Sequence, residues 1–158
     1  PVIFPLSNPT SSCEATPADI LVWSRGRAIV ATGSPFDPVK VDGRDVPIGQ
    51  GNNAFIFPGL GFGAILAEAS EITDGMVAAA SYALADYVKQ KHLSQGLVYP
   101  PVEEMREVSE RVATRVIEQA FDDGVARTTR TSQASAGAHV RAKAWQPRYL
   151  PFEKATSS

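Results

Sequence analysis

At 158 residues the chain is long enough for one compact domain, which would bury about 68–70% of the surface exposed by its unfolded form. A content of 44% hydrophobic and 20% charged residues fits a globular protein, and a net charge of −2 supplies no basic field for nucleic acid or an anionic lipid surface. No apolar run reaches the roughly 20 residues that a bilayer span needs, and the opening PVIFPLSNP lacks a basic leader, so the expectation is a soluble, cytoplasmic protein. The single cysteine, Cys13, forms no internal disulfide and has no cluster of His and Cys partners for zinc. Because the chain opens on Pro1 inside an apolar run, it is expected to be a piece of a longer polypeptide.

Val2 to Leu6 is apolar without alternation, the pattern of a strand covered on both faces in a parallel sheet. The turn Ser7-Asn8-Pro9-Thr10 follows, at the carboxyl end of that strand, where open α/β folds bind ligands; Asn8 can face a cofactor there or serve only as an Asx turn. Thr16-Pro17-Ala18-Asp19 has a hydroxyl cap, a proline at the first helical position and an acid in the first turn, predicting a helix through about Trp23 that ends near Gly26. Residues 27–32 then read as a second buried strand, completing a βαβ unit. It ends in Gly33-Ser34-Pro35-Phe36, and residues 37–49, with Asp42-Gly43 as a hairpin signal, predict an exposed excursion.

Gln50 to Ala67, QGNNAFIFPGLGFGAILA, is the stretch around which the rest is arranged. The adjacent carboxamides Asn52 and Asn53 offer two acceptors and up to four N–H donors in a small volume, suited to gripping a polar ligand; they also suit a helix cap. Two matches to G-x-G-x-x-A, from Gly49 and from Gly59, lack the strand-before, helix-after context of a dinucleotide fingerprint. Gly59, Gly61 and Gly63 are read instead as small residues that let a helix approach a neighbouring backbone, at about 1 kcal/mol each in helix propensity.

Thr73 or Asp74 caps the next helix, striped by Met76, Ala80, Leu84 and Val88 and fraying through Lys89, Lys91 and a solvated His92. After a linker from Gly96 to Pro101, Glu103-Glu104 begins a long helix. Its stripe is Met105, Val108, Val112, Val116 and Ala120, widened by Ile117 and Phe121, and Gly124 ends it. Glu107 with Arg111, and Arg115 with Glu118, predict a solvated, mutually paired face. Ala134 to Trp145 predicts a last helix packing through Ala138, Ala142 and Trp145. Gln146 onward, with Pro147 and Pro151, is expected to wrap over the domain or touch another subunit. His139 with Arg127, Arg130 and Arg141 reads as scattered surface charge rather than an anion site, and Thr156 to Ser158 as a loose end.

Four blocks, residues 4–10 (FPLSNPT), 31–36 (ATGSPF), 50–53 (QGNN) and 56–59 (IFPG), resemble in order and spacing the carboxy-terminal part of malic enzyme, nearest its bacterial NAD-linked members. The resemblance implies an α/β fold: the C-terminal portion of a Rossmann-like NAD(P)-binding domain over residues 1–148, with two parallel strands followed by several helices, and a tail at 149–158. Malic enzymes oxidise malate with NAD or NADP and decarboxylate it to pyruvate, assisted by Mg or Mn. The resemblance places Asn8 beside nicotinamide and substrate, and Asn52 and Asn53 on the malate carboxylate and the nicotinamide carboxamide. Neutral donors of this kind orient a dicarboxylate without adding charge near a metal.

The family's tyrosine acid, lysine base, acidic metal ligands and glycine-rich phosphate loop have no counterpart in these residues, so the segment alone is expected to be inactive; Tyr82, Tyr87 and Tyr99 match no catalytic motif. The expected partners are malate, the cofactor, the remainder of the longer chain and further copies in a homo-oligomer, with no nucleic acid and no membrane. Two other readings stay open: a malolactic enzyme yielding lactate, and a non-catalytic helical module binding a partner through the Met76 and Met105 helices. The choice between NAD and NADP is made at a strand end outside these residues.

Overall fold

The computed structural model describes residues 1–129, 133–147, 149 and 151. Among them is a parallel sheet of three short strands, β1 (Val2–Ile3), β2 (Ile29–Thr32) and, after an antiparallel hairpin of β3 (Val39–Val41) and β4 (Arg44–Val46), β5 (Gly49–Gln50). The sheet order is β1-β2-β5, with Val2 opposite Ile29 and Ala31 opposite Gly49. Helix α1 (Pro17–Trp23) makes the first crossover, and its start is as predicted: Thr16 caps it by accepting from the Asp19 N–H. The hairpin turns at Asp42 (φ 49°) and Gly43 (φ 76°), the paired left-handed conformation that Asp-Gly favours.

Two features of the sheet differ from expectation. β5 is a third parallel strand that two residues, one of them glycine, do not announce. β1 is largely exposed on both residues, Val2 by 63%, rather than covered on both faces. β1 is an edge of the sheet, and α1 buries Ile20 and Leu21 against Ala28 and Val30 at β2 rather than against β1.

The main core lies among α2 (Phe57–Leu66), α3 (Asp74–Lys91), α4 (Met105–Asp122) and α5 (Gln133–Lys143). Helix α4 is central and packs on the other three. Its stripe is as predicted: Val108, Val112, Val116 and Ala120 are fully buried, with Met105 and Phe121 at the margins. Met76, Ala80, Leu84 and Val88 of α3 are buried against it, so Met76 serves the core rather than a partner surface. Thr73 caps α3 by accepting from the Met76 N–H, and its hydroxyl donates to Asp123 just past α4.

The glycines of α2 divide. A Cβ on Gly59 would sit 2.6 Å from Val112 Cβ, and one on Gly63 would sit 2.7 Å from the Ala113 carbonyl oxygen, so only glycine lets these helices come this close. Gly61 faces open space, with nothing within 4 Å of such a Cβ, so the expectation of a close approach there is not met: it points away from α4. In α5 the inward face is Ala136 and Val140, whereas Ala138, Ala142 and Trp145 are exposed. The helix is rotated relative to the predicted stripe because valine, with more apolar area, takes the core position. Of the stretch from Gln146 onward, Gln146, Pro147, Tyr149 and Pro151 are described and exposed, and its other residues lie outside the described residues. Arg130 and the terminal Thr156, Ser157 and Ser158 lie outside the described residues.

His92 overturns its expected place at the surface. It is 7% exposed, and its Nε2 lies 2.7 Å from Glu104 Oε2 across the stretch joining α3 to α4. The same carboxylate accepts from the Tyr87 hydroxyl at 2.5 Å, and Lys91 Nζ donates to Glu107 at 2.6 Å and to the Tyr87 oxygen at 3.0 Å. Burial, with help from Glu104, pushes the Tyr87 phenol up to about 12. The Tyr87 and His92 hydrogen bonds hold Glu104 below the ordinary carboxylate range, and Lys91 does the same for Glu107. The predicted pairs form, Arg111 to Glu107 at 3.5 Å and Arg115 to Glu118 at 2.9 Å, but the first lies along the seam with α3, where Glu107 also takes Lys91 and Arg111 bonds Gln90, rather than on a purely solvated face. Arg111 also stands over the Tyr87 ring.

Candidate functional site

The three parallel strands run the same way, so the turns leaving them gather along one edge of the sheet, the place where ligands bind in open α/β folds. Asn8 follows β1, Ser34 follows β2, and Asn52 and Asn53 follow β5. The first two turns are pressed together at Gly33, whose N–H donates to the Pro5 carbonyl at 3.1 Å. A Cβ on Gly33 would lie 2.1 Å from the Leu6 carbonyl oxygen, so any other residue would push the turns apart. The third turn joins through the Gly51 N–H, which donates to Thr32 O at 2.8 Å, and Gln50 Nε2, which donates to Gly33 O at 3.2 Å.

Side chains complete the edge. Buried Ser34 donates its hydroxyl to Asn8 Oδ1 at 2.6 Å, and buried Thr32 donates to the Ser34 carbonyl at 2.8 Å. Asn52 Oδ1 accepts from the Ala54 N–H at 2.9 Å, capping the short 3-10 turn Asn53–Phe55 that leads into α2. The capping role therefore holds for Asn52. Asn53 is exposed and has no side-chain hydrogen bond among the described residues.

The outcome for the three amides is a division of their atoms. The oxygens of Asn8 and Asn52 are engaged inside the protein, while their NH2 groups, and both ends of Asn53, have no partner among the described residues. An NH2 group is a donor only, so the edge is left rich in neutral donors, which suits a carboxylate or carboxamide oxygen. Asn8 is tied to the β2 turn through Ser34, and the stretch before the amide pair is tied to the same turn through Gln50. Strand spacing of about 4.8 Å sets the first and third strands about 10 Å apart, room for a small ligand to span the edge. Sequence reasoning passed over Ser34, although Gly33-Ser34-Pro35 repeats the texture of Ser7-Asn8-Pro9 at the end of the neighbouring strand.

Residues 1–121 match the family model described as "Malic enzyme, NAD binding domain". The chain belongs to the malic enzyme family. It is 46% identical over 154 residues to the NAD-dependent malic enzyme of Pseudomonas aeruginosa strain UCBPP-PA14, and 46% identical to that of Vibrio parahaemolyticus serotype O3:K6; each alignment covers 98% of this chain and 27% of the relative. The crystal structure of Entamoeba histolytica malic enzyme superposes with a TM-score of 0.72 at 29% identity, covering 90% of this chain and 26% of that one. The chain thus spans about a quarter of the length of these malic enzymes and corresponds to part of their NAD-binding domain. The matched family region ends within α4, so α5 lies beyond it.

Among the described residues no group of three or more His, Cys, Asp or Glu side chains could hold a metal ion, and no helix is long and apolar enough to cross a membrane.

Proposed function

We propose that this malic enzyme segment forms the nicotinamide-side wall of the active site of a longer enzyme that oxidises malate with NAD or NADP and decarboxylates it to pyruvate. The observation that carries the reading is the set of uncommitted amide N–H donors on Asn8, Asn52 and Asn53 at the carboxyl edge of a parallel sheet. In this reading Asn8, held by Ser34, donates to nicotinamide or substrate. Asn52, fixed by its bond to the Ala54 N–H, donates to the nicotinamide carboxamide or the malate carboxylate, and Asn53 takes the malate carboxylate. These residues fit the nicotinamide end of the cofactor, which when bound accepts hydride from the malate carbon. Their part is to hold ring and substrate in register, an effect worth several kcal/mol when the reacting atoms are well aligned.

The described residues hold no group of three or more His, Cys, Asp or Glu side chains for Mg or Mn, and in this reading the metal is held by other parts of the longer protein. The remainder of that protein and further copies of it are the partners in this reading. The test is the full-length protein assayed with malate, Mn and either NAD or NADP. Pyruvate, carbon dioxide and reduced cofactor in equal amounts are expected. Lactate with no net reduced cofactor would instead mark a malolactic enzyme, and no turnover of malate would overturn both.

A further inference from the structure

Tyr99 lies in the stretch between α3 and α4, distant in sequence from every strand end, yet its ring reaches the edge of the sheet. The ring stacks on Phe55, which follows the amide pair, with centroids 6.3 Å apart and planes at 26°. It meets Phe4, just after β1, at 6.1 Å and 60°. A Cβ on Gly51, the residue before Asn52, would be 3.3 Å from Tyr99 Cε2 and 3.0 Å from Leu6 Cδ2, so the backbone entering the amide pair is pinned between these two side chains. At Gly49 such a Cβ would lie 3.4 Å from the Tyr99 backbone nitrogen, so the Tyr99 backbone also lies along β5.

The stretch that carries Tyr99 is itself held. His92 and Glu104 pair at 2.7 Å across its two ends, and Pro100 and Pro101 directly after Tyr99 restrict the backbone. One aromatic ring, on a clamped connection, therefore braces the segments that follow β1 and β5.

We infer that Tyr99 is a positioning residue for the site: its ring sets the depth and angle at which Gly51 delivers Asn52 and Asn53 to the ligand. This rests on the reading of those amides as ligand donors. The ring, rather than the hydroxyl, makes the contacts, so phenylalanine preserves the role and leucine does not.

The experiment uses the full-length enzyme with Tyr99→Phe, Tyr99→Leu, Gly51→Ala and the Gly51→Ala/Tyr99→Leu double variant, each assayed well below its melting transition. Tyr99→Leu is expected to lower kcat/KM for malate about tenfold or more, and Tyr99→Phe to stay within about twofold of the parent. Gly51→Ala forces a methyl against the same ring and against Leu6, and is expected to lose a similar factor. The double variant is expected to lose less than the product of the two single losses, because the changes share the Tyr99 contact while the methyl still meets Leu6. Should Tyr99→Leu fail to fold, Gly51→Ala beside Tyr99→Phe carries the test: a loss in the first with parent-like activity in the second supports the inference. Parent-like kcat/KM in Tyr99→Leu or Gly51→Ala, or losses that multiply in the double variant, overturns it. Asn53→Asp, run beside these, separates the two levels. A loss there with parent-like Tyr99→Leu removes only the role of Tyr99, whereas parent-like values for both remove the reading of the amides.

Discussion

The helical layer and the strand-end edge of this chain solve opposite problems. Between α2 and α4 the residues are chosen for shape: Gly59 and Gly63 vanish so that Val112 and Val116 can seat, and few polar groups are present to need partners. Along the sheet edge the residues are chosen for unspent hydrogen bonds. Asn8 and Asn53 are exposed, Asn52 is half-buried, and the groups that fix them, Ser34, Thr32 and Gln50, lie behind. If the edge amides are ligand donors, as proposed, the contrast makes stability and recognition separable. A change in the helical layer is expected to move melting while sparing kcat/KM, and a change at the edge to do the reverse.

The sharpest way to break that separation is Gly59→Val in the full-length protein. With a Cβ already 2.6 Å from Val112 Cβ and 2.8 Å from Ser109 O, added bulk is expected to cost about 3 kcal/mol, the upper end for overpacking, read as a lower denaturation midpoint. The kcat/KM of the folded fraction is expected to be unchanged; a parallel loss of kcat/KM would show the layers to be coupled.

Next in size is Tyr87→Phe, which removes the hydroxyl shared by Glu104 and Lys91 and strands charge at a partly buried seam. A loss of about 1–2 kcal/mol in a denaturant titration is expected. The same seam sets the pH dependence. Glu104 and Glu107 have folded pKa values below their ordinary 4.5, so their contribution is present above that value and is lost as acid protonates them in the fold. Tyr87 is raised from 10.0 to about 12, so its contribution is complete below pH 10 and is lost as pH rises toward 12. Thermal melts across pH are expected to show a neutral plateau with both flanks falling, and Tyr87→Phe to flatten the alkaline flank.

Smallest is Gly61→Ala, expected to gain about 0.5–1 kcal/mol, since a methyl there meets nothing and alanine favours the helix. A loss in the full-length protein would mean that another part of it presses on this face of α2.

Much of this division was legible in the sequence. Periodicity located α3 and α4 because their apolar stripes are long, and capping chemistry located α1 at Thr16 because a hydroxyl, a proline and an acid agree there. The strand-end amides stand out because adjacent carboxamides gather two acceptors and up to four N–H donors in a small volume before an uncharged run. What escaped notice depends on contacts distant in sequence. β5 is a strand only because β2 pairs with it. His92 is buried only because Glu104 returns to meet it. Tyr99 reaches the edge only through the turn between two helices, and no local pattern encodes that.

The most direct test of the central claim is Asn53→Asp in the full-length enzyme, measured beside Asn52→Asp by both thermal melt and kcat/KM for malate. Asp caps a turn as well as Asn, and Asn53 has no side-chain hydrogen bond among the described residues to lose, so both variants are expected to melt within a few degrees of the parent. If the amides grip a carboxylate, the added charge repels it, and kcat/KM is expected to fall by about 2–4 kcal/mol in transition-state stabilisation. Folded Asp variants with parent-like kcat/KM would contradict the account.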